Sequence, residues 1–408
     1  MKTQRIAVIG GGPAGAMAAA ELARAGREVV LFDEKLAWEK PCGGGLTDKA
    51  LTRWPFLCEA QVEQNWITDC ELIAPSGRTA CFRLGRQIAI FSRFALNGWL
   101  LDRARDAGAE LRCERVLQIE RNGKSWRIRG TASSYTADYV VLASGARNSF
   151  RTQFGTPLGP ENFMVAVGYY IPGNHHTVQI KFFPRLHGYI WIFPRIDHFS
   201  AGICGRMQGT TTAELRKILE DSLPEFGLDL HGARFYAHII PSLTLASLRS
   251  SSFFGEGWAM VGDAAGFVDA ITGEGLYYAL RSGELIAEAL LADAPEQYPV
   301  NARSDFLPEL EHAAAIADRF YSGEWMGDSV IERMVQLTTR SPKFQDLMRD
   351  LFAGSQGYSD LRDRVYRSLP RIAAEALVST LWNPLGRRDP RPQSTGAHLA
   401  GIGQSHSR

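Results

Sequence analysis

No apolar run in this chain approaches the ~20 residues of a membrane-spanning helix, so no span is expected. Charge of one sign is also lacking. Basic and acidic residues number 45 and 44, and the formal charge of +1 leaves no positive field to hold nucleic acid. Cysteine is scarce: Cys42, Cys58, Cys70, Cys81, Cys113 and Cys204 form no CxxC pair, so neither a zinc site nor a disulfide framework is indicated. They read as reduced thiols. His175-His176, after Pro172-Gly173, has no further ligand spacing around it and reads as a solvated loop pair, so no metal is expected. Met1 is followed almost at once by the first strand, which leaves no room for a signal peptide and predicts a cytoplasmic chain. What remains is a globular sequence, 45% apolar and 22% charged, whose 408 residues exceed one ordinary core.

The most informative segment is Gly10-Gly11-Gly12-Pro13-Ala14-Gly15, directly behind the apolar run Ile6-Ala7-Val8-Ile9. A strand ending in GxGxxG and running into an Ala-rich helix puts bare N–H groups and a helix N-terminus where a pyrophosphate can reach them. Gly10 makes the tight turn, Gly12 lets the backbone approach the phosphate, and Gly15 lets helix and strand pack closely. Glycine-rich turns also occur for purely structural reasons, but the context argues for a dinucleotide. The helix from Ala14 ends at Gly26, and a second strand, Glu28 to Phe32, delivers Asp33 near the ~20-residue offset at which an acid holds a ribose hydroxyl.

Further along, Gly257 to Val261 is another apolar strand, ending in Gly262-Asp263, and Gly273-Glu274-Gly275 opens the helix Leu276 to Leu291. An acid here suits the ribityl chain of a flavin. The helix N-terminus would face the pyrimidine edge, where negative charge gathers on reduction. The plainer reading of Asp263 is a helix cap. Lys40-Pro41-Cys42-Gly43-Gly44-Gly45 is a second glycine-rich loop, suited to a backbone lying flat against a planar ring. Cys42 is a candidate to tune or react at the flavin face, or else a small apolar filler. Period two puts Tyr189, Trp191 and Phe193 on one face of a strand that Pro194 ends and Arg195 follows. That face is either core or the wall of a long apolar cavity.

The expected organisation is α/β. A Rossmann-like FAD-binding domain (1–153, resumed at 251–295) is joined to an antiparallel β-sheet substrate domain (154–250, with about 50–90 contributing). A helical C-terminal region (296–385) and a disordered tail (386–408) follow. Leu111 to Ile119 and Ser125 to Arg129 read as a hairpin-like insertion.

Together these segments resemble the geranylgeranyl reductase family of FAD-dependent oxidoreductases, within the group sharing the para-hydroxybenzoate hydroxylase fold. The resemblance covers roughly residues 5 to 291. It rests on Gly10 to Gly15, the Cys42 loop, Tyr189-x-Trp191-x-Phe193-Pro194, Val261-Gly262-Asp263-Ala264-Ala265-Gly266, Thr272 to Ala279 and Arg281-Ser282-Gly283. It implies FAD contacts at Ala14, Asp33, Cys42, Gly43, Gly45, Arg93, Val116, Asp263, Gly275 and Leu276, with Tyr189 and Trp191 bordering a lipid cavity. In such enzymes reduced flavin delivers hydride to isoprenoid double bonds. An apolar or lipid substrate follows, with peripheral membrane contact and with NADPH or a reduced ferredoxin-like protein as electron donor, since no second strand-linked GxGxxG is present. Arg195 stands where the family usually has Lys, Asp33 replaces Glu, Asn97 replaces Asp, and Ser144-Gly145 replaces the Asp-Gly of the hydroxylases. Alternative readings are a flavin monooxygenase or halogenase of the same fold, and a flavin electron carrier. Tyr-x-Trp-x-Phe-Pro departs from the halogenase Trp-x-Trp-x-Ile-Pro signature at its first and fifth positions.

Overall fold

The computed structural model describes residues 4–59, 62–325, 327–355 and 357–382; the expected tail, 386–408, lies outside them. A six-stranded sheet carries the cradle. Its order is Phe254–Gly255, Trp258–Met260, Tyr139–Leu142, Arg5–Ile9, Glu28–Asp33 and Glu110–Cys113, parallel except at the first pair. The central strands are buried on both faces, so they read as continuous apolar runs rather than alternating ones. Helix Pro13–Arg24 starts with Pro at its first turn behind Gly12. It packs on helix Leu276–Leu291 so closely that a Cβ at Gly283 would collide with the Ala14 carbonyl.

The second sheet has eight strands: Arg234–Pro241, Phe163–Pro172, His198–Arg206, Gly188–Pro194, Thr177–Phe182, Gln64–Ile73, Thr79–Phe91 and Gly45–Leu46. It is mixed rather than wholly antiparallel, because Thr177–Phe182 pairs in parallel with Gln64–Ile73. A tight turn cannot join parallel neighbours, and these two lie about a hundred residues apart in sequence. Ile190 and Ile192 pack on one face with the helix Thr212–Ser222. The opposite face turns toward the C-terminal helices Leu307–Ser322, Val330–Arg340, Pro342–Phe352 and Tyr358–Trp382.

The Leu111 to Ile119 segment is not one strand of a hairpin. Glu110–Cys113 belongs to the parallel sheet, and Val116–Asn122 opens a separate three-stranded meander with Ser125–Gly130 and Ser134–Ala137. Glu114 marks the break, its carboxylate accepting the Ala132 and Ser133 N–H groups at 2.6 and 2.7 Å. His175 is not solvated either. It is half-buried with its ring 4.7 Å from that of Phe199, while His176 is exposed. No helix among the described residues is long and apolar enough to cross a membrane.

Candidate functional site: a cradle continuous with an aromatic cavity

Both sheets border one cavity of about 900 Å³. Its polar end is the cradle. Gly10 (φ +114°) leaves the strand in a conformation that suits only glycine, and a Cβ there would strike the Ala143 carbonyl. A Cβ on Gly15 would strike the Gly10 carbonyl, whereas a Cβ on Gly12 would meet nothing within 4 Å and would point into free space. Asp33 accepts the Gly11 N–H at 2.7 Å and the Lys35 and Leu36 N–H groups at 2.8 Å, which fixes the loop and leaves lone pairs for a hydroxyl.

Lys40 and Asp263 face each other across the cavity wall in an ion pair of 2.8 Å. Burial would raise the Asp263 carboxyl, but Lys40 outweighs it and holds the group below the usual carboxylate range. Burial, reinforced by Lys40, presses His238 down to about 3, so its imidazole is neutral at pH 7. Gly275 caps the helix Leu276–Leu291 beside Asp263, and the Ser282 hydroxyl accepts the Gly262 N–H at 2.9 Å, fixing turn and helix together.

The cysteine loop is tied to the second sheet. A Cβ at Gly43 would stand 2.5 Å from the Phe193 ring, so glycine here lets the loop pack against the second sheet. Cys42 accepts the Gly44 N–H on Sγ at 3.3 Å, and its carbonyl accepts Arg195 Nη2 at 2.9 Å and Ser200 Oγ at 3.0 Å. Arg195, 2% exposed, also pairs with Glu39, which in turn accepts Ser92 Oγ and the Arg93 N–H. A lysine could not span Glu39 and the Cys42 carbonyl with a planar fork, which gives the arginine at this position its reason. Burial alone would raise Glu39, but Arg195 and these donors hold it low. Arg195→Met should therefore cost about 3–5 kcal/mol at pH 7, by leaving Glu39 unpaired. Because the folded-state pKa of Glu39 is depressed, this stabilisation is present above its unfolded value and is lost as pH falls through the folded one. Urea unfolding of wild type and variant at neutral and acid pH should show the gap closing; a gap constant with pH would refute the pairing.

Tyr189, Trp191 and Phe193 all line the cavity, with Tyr189 OH donating to the Thr272 carbonyl. Trp191 is 6% exposed and also packs in the core, so wall and core are one surface here. Of the residues singled out from sequence, Gly10, Gly12, Ala14, Asp33, Cys42, Gly43, Gly45, Arg93, Tyr189, Trp191, Asp263, Gly275 and Leu276 line the cavity. Gly15 lies behind it in the strand–helix contact. Val116 is not in the lining but buried at the start of the meander. Sequence reasoning missed Glu39, His238 and Glu274. Glu39 and Glu274 adjoin motifs that were read, but a lone histidine in a strand gives no signal.

FAD fits this chain. Gly12 leaves the close approach that a pyrophosphate needs, and Arg93, 3% exposed, keeps a buried Nε with no partner beside the cavity. Fold and site together define an FAD-dependent oxidoreductase. Residues 4–163 match the pyridine nucleotide-disulphide oxidoreductase family model. The chain is 29% identical to a geranylgeranyl diphosphate reductase of Rhodobacter capsulatus over 352 residues, 81% of this chain and 86% of that protein. It is 28% identical over 377 residues to the chloroplastic geranylgeranyl diphosphate reductase of Oryza sativa subsp. japonica, 83% of this chain and 75% of the other. In fold it matches a geranylgeranyl bacteriochlorophyll reductase-like protein of Thermoplasma acidophilum, with TM-score 0.74 at 19% identity over 90% of this chain and 99% of that one. Over most of its length, then, the chain is similar to geranylgeranyl reductases among the FAD-dependent oxidoreductases.

Proposed function

We propose that this protein reduces carbon–carbon double bonds of an isoprenoid or similar apolar chain, with bound FAD supplying the hydride. The observation that carries the reading is the continuity of one cavity. From the cradle it passes directly onto the Tyr189–Trp191–Phe193 face, and from there between the second sheet and apolar side chains of the C-terminal helices, among them Met334, Met348 and Phe352. An extended hydrocarbon has only apolar surface to offer, and each buried methylene contributes ~0.8 kcal/mol. In this proposal Asp33, Arg93, Asp263 and the N–H groups of the Gly10–Gly15 turn bind FAD, and the Gly275 helix end faces its pyrimidine edge. Cys42 and the aromatic strand border the reacting atoms. Electrons come from NADPH docking transiently or from a reduced ferredoxin-like protein.

The test is anaerobic reduction of the FAD-loaded protein followed by stopped-flow reoxidation. A prenyl alkene should discharge it. Discharge only by oxygen with a substrate or halide would make the protein a monooxygenase or halogenase. Discharge only by a protein or quinone acceptor would make it a carrier.

A further inference from the structure

Glu274 is an acid of the cavity wall that neither the cradle nor the aromatic strand uses. It lies between Gly273 and Gly275, directly before the helix Leu276–Leu291, half-buried in the cavity lining. Its carboxyl accepts one hydrogen bond, from Thr47 Oγ1 at 3.2 Å. The loop that carries it is held on three sides. Tyr189 OH donates to the Thr272 carbonyl, Tyr321 OH to the Ile271 carbonyl, and Asp269 accepts the Ile271 and Thr272 N–H groups at 2.8 Å while bonding Tyr358.

Reducing an alkene needs a proton as well as a hydride, and most polar groups of this wall are engaged elsewhere. Tyr189 is committed to Thr272, and Tyr236 shares its hydroxyl with Ser200 and the Ala201 carbonyl. Tyr358 is bonded to Asp269, and the neutral His238 ring is a poor acid. Glu274 is placed differently: a carboxyl with a single acceptor bond, at the junction of the cradle end and the aromatic wall.

We propose that Glu274 is the acid of the reduction, giving its proton to one carbon of the substrate double bond while the other carbon takes hydride. This rests on the reductase reading above. The π bond breaks and two C–H bonds form. The hydride's electron pair comes from reduced FAD, which is oxidised, and Glu274 is left as a carboxylate that regains a proton from water before the next turnover. Burial, then the nearby Asp269, pushes Glu274 up to about 7, against Lys49 and the Thr47 hydroxyl, which favour the charged form. Those three groups, with Tyr277 and Tyr278 on the helix that follows, make up its electrostatic surroundings.

Stopped-flow discharge by a prenyl alkene across neutral pH tests the assignment. Wild-type discharge should slow as pH rises through about 7. Glu274→Gln should discharge at least ~10²-fold more slowly and without that limb. Lys49→Met, which removes a cation favouring the carboxylate, should move the limb to higher pH. A second readout needs no substrate. A folded-state pKa raised above the unfolded value gives stability that is lost as pH rises through the folded pKa. The Tm of Glu274→Gln should therefore gain on wild type between about pH 5 and pH 8. Wild-type discharge with the same rate and limb in Glu274→Gln, or a Tm gap that does not change with pH, would overturn the role of Glu274 alone. Failure of wild type to discharge with any prenyl alkene would overturn the reductase reading and this assignment with it.

Discussion

Gly12→Val should give a folded protein that no longer retains FAD, with affinity reduced ~10³-fold or more, equivalent to about 4 kcal/mol. The size of the effect follows from where the side chain goes. A Cβ at Gly12 meets no protein atom within 4 Å, so the apo fold has room for it, but it enters the space that the proposed FAD pyrophosphate would need. Gly15→Ala should fail in the opposite way. Its methyl would collide with the Gly10 carbonyl and crowd Val8, so helix and strand must part and stability falls with or without cofactor. Thermal unfolding of the apo proteins, set beside FAD titration, separates the two. Wild-type FAD affinity in Gly12→Val would remove the cradle from consideration.

The second large effect is expected at Trp191. Its indole packs over Gly202, where any Cβ would meet the ring, and Nε1 lies 3.4 Å from Ser200 Oγ. Trp191→Ala should retain FAD and the fold, at a cost of about 3 kcal/mol for the lost packing, while alkene discharge falls ~10²-fold. Placement is the reason, since a substrate without polar handles is positioned by shape alone and a missing wall lets the double bond drift from the hydride source. Trp191→Phe should lose far less. Stopped-flow discharge beside urea unfolding decides the case: a variant that folds with unaltered discharge would show that the aromatic strand is not the substrate wall.

What could be read from sequence was local. GxGxxG specifies its own turn, and period two in Gly188 to Pro194 sorts Tyr189, Trp191 and Phe193 from Ile190 and Ile192 without reference to the rest of the chain. What escaped depends on tertiary placement. Arg195 and Glu39 are 156 residues apart, and nothing near either announces the other. The break at Glu114 carries no glycine or proline to mark it, and the Ala132 and Ser133 N–H groups that hold its carboxylate come from a later segment. The Glu274 environment is likewise built by Thr47, Lys49 and Asp269 from separate segments. The parallel seam between Thr177–Phe182 and Gln64–Ile73 has no turn residues to advertise it.

That seam has a consequence for how the molecule is made. Gly45–Leu46, at the end of the cysteine loop, is the outermost strand of the eight-stranded sheet, joined through Thr79–Phe91 and Gln64–Ile73 to strands translated a hundred residues later. A nascent chain that has emerged only as far as residue 150 therefore holds Gln64–Ile73 with an open edge, and the loop bearing Cys42 has no Arg195 or Ser200 to anchor it. Separate expression of residues 1–153 should give aggregation-prone material rather than a small flavoprotein, and assembly from such distant partners should be slow.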